Sequence, residues 1–157
     1  MIHMIQKAKD QVLALTNAAY EAAVAAGKLP ADVAVRANVE IPKDPTNGDY
    51  TTTFALAAAK AMKKSPREIA GVLLENLNLT DSYFASAEIA GAGFLNFRLA
   101  EKWYREVLAA VESEGGAYGR SDTLKGQRIM VEFVSANPTG PMHMGNARGG
   151  VLGDTLA

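Results

Sequence analysis

The chain has 157 residues, enough for one ordinary domain or for one domain and the start of another, and 48% of them are hydrophobic, which excludes wholesale disorder. It has no cysteine and only two histidines, so disulfide scaffolds and thiolate zinc sites are excluded and no protein-bound transition metal is expected. Sixteen basic against seventeen acidic residues leave a formal charge of -1, so no global positive field recruits nucleic acid and any such contact must be local.

No apolar run reaches membrane-spanning length, and the N-terminus lacks the layout of a signal peptide, so a cytoplasmic protein with no membrane contact is expected. Residues 2–26 predict a helix: Ile5, Ala8, Val12, Leu15, Ala19 and Ala22 recur at helical spacing, and Gly27 and Pro30 follow as stop signals. VAVRANVEIP, residues 33–42, alternates as a half-buried strand through Val33, Val35, Ala37, Val39 and Ile41, closed by Pro42. KDPTNGDY, residues 43–50, predicts a loop whose Asp49 caps a helix over 50–64. Ser65-Pro66-Arg67-Glu68 is a helix start, with Ser65 as cap, Pro66 at the first position and Glu68 completing a capping box; that helix is expected to reach about Asn78. Two short strands are expected near 83–90 and 93–98, parted at Gly91, then a helix over about 100–114 stopped by Gly115-Gly116.

This order segregates poorly into parallel units and predicts a compact α+β fold, a small antiparallel sheet packed with helices. GGAYGRSDTLKGQ then reads as a linker, with a boundary near 115 and a second segment from 128. RIMVEFV, residues 128–134, is an apolar strand carrying one acid, and MGNARGGVLGDTLA is a helix rich in small residues. Strand, Gly/Pro loop and helix form the opening unit of a Rossmann-like nucleotide-binding domain. A single such strand cannot bury both faces, so 125–157 is expected to pack irregularly, to pair with a neighbouring chain or to be mobile.

The loop between them is SANPTGPMHMGN, residues 135–146. A strand ending in such a loop and feeding a helix aims backbone amides and the positive helix end at one spot, which suits an anion. His143 adds a donor for a phosphate oxygen, Gly145 allows close approach, and Asn146 adds an amide. The same spacing also suits an ordinary strand-to-helix turn with a solvated histidine. Glu132, a carboxylate amid apolar residues, needs a partner; a guanidinium ligand fits, as does an internal pair with Arg128 or Arg148.

VEFVSANPTGPMHMGN resembles the His-x-Gly-His signature of class I aminoacyl-tRNA synthetases, in the version of the arginyl-tRNA synthetases. EIPKDPTNGDYTTTFALAAAK, SPREIA and AGAGFLNFRL are similar to the N-terminal domain appended to that family's catalytic core. The two resemblances occur in the family's order. They imply an appended tRNA-contacting domain over 1–115, a linker over 116–127 and a truncated catalytic domain over 128–157. They imply an ATP- and Mg²⁺-dependent ligase, monomeric as a whole, that forms arginyl-adenylate from L-arginine and transfers arginine to tRNA(Arg), and of which these residues alone are inactive.

By the resemblance, His143, Gly145 and Asn146 contact ATP, with His143 and Asn146 stabilising charge at the α-phosphate. Glu132, Ser135 and Asn137 bind arginine, Glu132 at the guanidinium end. Asn146 stands where the family usually has a second histidine; it keeps a donor but cannot become charged, so a pH dependence due to that histidine is expected to be missing. Phe94 and Asn96 are implied to stack on and hydrogen-bond a base of the tRNA D-loop. Alternation puts them on one strand face, with Leu95 and Phe97 on the other; a core role for Phe94 is the plainer alternative. Lys60, Lys63, Lys64 and Arg67 form the main basic cluster, which suits either a phosphate backbone or a solvated helix end. Two rivals of other classes are a free-standing nucleic-acid-binding module and another nucleotidyltransferase with the same signature loop.

Overall fold

The structure, a computed structural model, describes residues 2–31, 33–137 and 139–157, with the side chain of Ile2 left out. Pro138 of the signature loop therefore lies outside the described residues. The chain divides into two units, Met1–Gly119 and Arg120–Ala157.

The first unit begins with α1 (Ile2–Ala25), which ends where Gly27 turns left-handed at φ 68°. Its buried stripe is Met4, Ala8, Val12, Thr16, Ala19 and Ala23, while Ala22 is exposed. This is rotated from the expected phase, because Thr16 enters the core once its hydroxyl donates to the Val12 carbonyl at 2.7 Å. Residues 33–39 alternate in burial as expected, but only β1 (Val39–Glu40) joins a ladder, and Ile41 is exposed. A short 3₁₀ turn over Pro45–Asn47 follows, capped by Asp44. The Thr46 hydroxyl and then its amide, both donating to Asp44, hold that carboxyl below its ordinary range.

The expected helix over 50–64 is corrected at its start. Tyr50–Thr52 is a strand, β2, and α2 covers only Phe54–Met62. Asp49 does not cap a helix: its amide donates to the Phe97 carbonyl at 2.8 Å, and its carboxylate accepts from the Leu99 amide at 2.8 Å. The β-branched Thr51 and Thr52 suit a strand once partners lie on both sides. Next, α3 (Pro66–Glu75) starts as expected, the Ser65 hydroxyl accepting from the Glu68 amide at 3.2 Å. The Glu68 carboxylate pairs with Lys64 at 2.5 Å instead of closing a capping box.

The hairpin β3 (Phe84–Ala90) and β4 (Phe94–Leu99) completes an antiparallel sheet of order β1-β2-β4-β3. Leu95 and Phe97, 1% and 0% exposed, face the core with Ile69 and Leu73 of α3. The Phe84 ring meets Phe97 at 5.3 Å and Tyr50 at 6.1 Å, both edge-on. The α+β architecture expected from element order is the one observed.

The last long helix of this unit, α4 (Glu101–Glu114), buries no residue fully and is tied down by polar contacts. Tyr83 donates its phenol proton to Glu106 at 2.7 Å, and the Trp103 indole donates to the Met4 carbonyl at 3.4 Å. The bond to Glu106, then partial burial, then the Glu106 charge raise the Tyr83 phenol above its ordinary value of 10.0. A raised phenol holds its proton more tightly folded than unfolded, so its contribution is intact below about pH 10 and is lost as pH rises through the folded value. Tyr83→Phe is expected to cost about 1 kcal/mol at neutral pH and to remove that part of the alkaline decline. Urea unfolding near neutrality and at alkaline pH checks both, and an unchanged decline in the variant would contradict the assignment.

In the second unit the expected strand over 128–134 is not formed. These residues join no ladder, and Ile129, Met130, Val131 and Phe133 are exposed. Backbone pairing needs a neighbouring strand, and none of the described residues in this unit offers one. The expected helix does form, as α5 (Met144–Leu156).

Candidate functional site

Chemistry-bearing side chains gather in two places, one in each unit. In the first, antiparallel register aligns Glu40, Thr51, Asn96 and Glu88 across the four strands, on the sheet face opposite Leu95 and Phe97. Phe94 lies two residues along β4 from Asn96, opposite Ala90, and is 37% exposed. A core role for Phe94 is thus excluded, and the expected sharing of one face by Phe94 and Asn96 holds.

Asn96 itself is 3% exposed. Thr51, its direct cross-strand partner, is 7% exposed, and the Thr51 hydroxyl is buried without a hydrogen bond. Asn96 lies directly opposite Thr51 in the β2–β4 ladder. An unpartnered hydroxyl beside an exposed ring suits a flat ligand with its own donors and acceptors. Glu88, which adjoins Asn96, is held by Arg98 at 3.2 Å, and Arg98 also donates to the Thr46 carbonyl. Thr51 was not read as a site residue, because its stretch reads as helix. The signal against a helix was the β-branched run Thr51-Thr52-Thr53.

In the second unit, His143 is the N-cap of α5. Its Nδ1 accepts from the Gly145 amide at 3.1 Å, and the Asn146 side-chain oxygen accepts from the His143 amide at 3.2 Å. The sequence reading placed these residues on one anion; the structure adds that they cap one another. Since Nδ1 is an acceptor, a neutral ring carries its proton on Nε2, which is free to donate outward at the positive end of the helix. The Asn146 side-chain nitrogen makes no bond among the described residues, while its backbone amide donates to the His143 carbonyl at 2.9 Å.

The Glu132 carboxylate accepts from the Ser135 hydroxyl at 3.4 Å, so two of the expected arginine contacts are neighbours; Asn137 is exposed and joins neither. Glu132 is exposed, which corrects the expectation of a buried charge, and among the described residues neither Arg128 nor Arg148 pairs with it. Between Glu132 and Ser135 the backbone bends at Val134, whose φ of 61° is unusual for a β-branched residue. Gly150 and Gly153 leave room on α5 for Val134 and Phe133; a Cβ at Gly153 would overlap the Phe133 ring. The described residues contain no group of three or more His, Cys, Asp or Glu able to hold a metal ion. No helix among them is long and apolar enough to cross a membrane.

The first unit is an α+β domain with an exposed aromatic side chain on one sheet face, beside a buried asparagine and a threonine whose buried hydroxyl lacks a partner. The chain belongs to the family described as the arginyl tRNA synthetase N terminal domain, which matches residues 10–99, more than half of the chain. It is 43% identical over all 157 residues to an arginine–tRNA ligase of Acetivibrio thermocellus, 28% of which it covers. It is 52% identical over 133 residues, 84% of its own length and 23% of the relative's, to an arginine–tRNA ligase of Paracoccus denitrificans. The chain thus spans about a quarter of the length of these curated relatives. A solved arginyl-tRNA synthetase of Plasmodium falciparum shares the fold, with a TM-score of 0.54 at 16% identity, over 94% of this chain and 27% of that one.

Proposed function

We propose that the chain is the N-terminal part of an arginine–tRNA ligase that activates L-arginine with ATP and transfers it to tRNA(Arg) in the cytoplasm. Residues 1–115 form the appended tRNA-contacting domain, 116–127 a linker and 128–157 the start of the catalytic domain. The whole enzyme acts as a monomer, and these residues alone do not catalyse. One observation carries the reading: similarity to relatives named arginine–tRNA ligase runs unbroken through both units, across all 157 residues.

His143, Gly145 and Asn146 would face ATP. The outward Nε2–H of His143 and the positive end of α5 would meet phosphate oxygens and stabilise negative charge that grows at the α-phosphate as the arginine carboxylate attacks. Mg²⁺ enters with the nucleotide and neutralises its phosphate charge. Glu132 would take the arginine guanidinium through paired hydrogen bonds, with Ser135, already in reach of Glu132, and Asn137 holding the rest of the amino acid.

Phe94 would stack on a D-loop base while Asn96 and the Thr51 hydroxyl, which lacks a partner, supply hydrogen bonds to it. Glu88, beside Asn96 on β3, can move to admit that base, because its side chain is 55% exposed and its single ion pair is at the surface.

The test uses the complete protein, with tRNA present in the exchange assay. Arginine-dependent ATP–pyrophosphate exchange and charging of tRNA(Arg) are expected, and failure of both would sink the reading. Phe94→Ala is expected to raise KM for tRNA roughly tenfold, the worth of one stacked base, while leaving KM for arginine unchanged. An unchanged tRNA KM would remove the base contact and leave the ligase reading standing.

A further inference from the structure

We propose that Lys60 and Lys63, at the turn from α2 into α3, hold the phosphates of the RNA strand whose base lies on Phe94. The proposal rests on the nucleic-acid reading above and extends it from one base to the path of the strand. The sequence leaves this basic cluster undecided between a phosphate contact and a solvated helix end. The structure brings it to the hairpin that carries Phe94.

Two contacts make that apposition. The Arg67 guanidinium donates to the Gly91 carbonyl at 3.2 Å. Gly93 sits so close to the start of α3 that a Cβ there would come within 2.7 Å of the Pro66 carbonyl carbon. Phe94 follows Gly93 directly, and Lys63 lies three residues before Pro66, so the turn that carries the lysines is anchored to the hairpin tip through Pro66 and Arg67.

The four basic residues divide by what they already do. Lys64 is committed to Glu68, and Arg67 to the hairpin, where it acts as a positioning residue. Lys60 and Lys63 are exposed, and among the described residues neither has an acidic partner. They are the charges free to meet an anion.

Electrostatics gives the direction. The row beside Asn96 ends on one side in Glu40, which has no ion pair among the described residues and repels phosphate. On the other it ends in Glu88, whose charge Arg98 offsets, so the strand is steered away from the Glu40 side. The backbone then leaves past the hairpin tip, to which the turn with Lys60 and Lys63 is anchored. With a net charge of -1, the protein relies on such a local patch for attraction. Phosphate contacts of this kind set register and add affinity without reading sequence.

The test measures anisotropy of a labelled tRNA(Arg) transcript titrated with the 157-residue chain over a range of KCl concentrations. Lys60→Gln with Lys63→Asn removes both charges; asparagine is chosen because Lys63 has a φ of 52°, which asparagine tolerates. Expected is an affinity loss of about tenfold and a log–log salt slope shallower by about 1.4, as for two single-strand phosphates released. The loss should be equal for transcripts that differ in D-loop sequence. Phe94→Ala should weaken binding without altering the slope. If the lysine pair changes neither affinity nor slope while Phe94→Ala still weakens binding, the phosphate path is overturned and the base contact stands. If Lys7→Gln with Lys9→Gln on α1 gives the same loss, only net charge matters and the proposal falls. If the unsubstituted chain does not prefer the transcript to an unrelated RNA hairpin, the nucleic-acid reading falls and takes the path with it.

Discussion

Gly93→Ala is expected to destabilise the first unit by about 3 kcal/mol or more, the combined order of a glycine-only backbone conformation and an overpacked contact. Gly93 has a φ of 133°, where a side chain is strained, and its added Cβ would lie 2.7–2.8 Å from Pro66 backbone and side-chain atoms. The backbone of the first turn of α3 cannot swing away as a flexible side chain would. Relief therefore requires the hairpin to lift from α3, breaking the Arg67–Gly91 bond and moving Phe94. Gly71→Ala is the matched control. It lies within α3 with nothing inside 4 Å of its added Cβ, and should stabilise by up to about 1 kcal/mol through helix propensity. Urea unfolding of the two variants separates the cases, and equal stabilities would refute the close approach. RNA affinity should fall for Gly93→Ala and stay unchanged for Gly71→Ala.

His143→Ala in the complete enzyme is expected to slow arginine activation by roughly 10²–10³-fold, the usual loss when one donor to a developing charge is removed. Alanine also removes the α5 cap, a separate effect of about 1 kcal/mol. His143→Asn divides the two roles, since asparagine is a strong cap but lacks a ring that reaches outward. It should keep hydrogen-exchange protection across the first turn of α5 and still lose most of the rate. Full activity in His143→Asn would show that the ring acts only as a cap. Asn146→His, which supplies the second histidine that the signature resemblance implies, should add a pH-dependent limb to the activation profile and weaken the reciprocal cap to the His143 amide. An unchanged profile would mean that the residue at 146 sets no titration.

What could be read from the sequence was local. Ser65-Pro66-Arg67-Glu68 carries its own cap and starts a helix without help, and the Ser65 bond is found as expected. The hairpin around Gly91 and the stop at Gly115 follow from the same kind of signal. Period-2 alternation also sufficed to put Phe94 and Asn96 on one face, since that depends only on the pleat of one strand. The errors lie where a residue's state depends on something distant. Asp49 has the chemistry of a helix cap, yet it bonds the backbone of Phe97 and Leu99, some fifty residues on. Tyr50–Thr52 precedes an alanine-rich helix and was merged with it, although pairing with β1 and β4 makes it a central strand.

By itself, then, the sequence determined an α+β domain, the helix that follows the Gly/Pro loop near the end of the chain, and the face that carries the aromatic ring. Capping groups, turn glycines and alternation act within a few residues, so they survive reading in one dimension. Only the tertiary structure decided that Thr51 lies beside Asn96 with its hydroxyl unsatisfied, that Arg67 and Gly93 bring a basic turn to Phe94, and that residues 128–134 stay unpaired. Each depends on which strand or helix stands next to another. Ladder register and close backbone contact are relations between distant segments, and no local pattern encodes them.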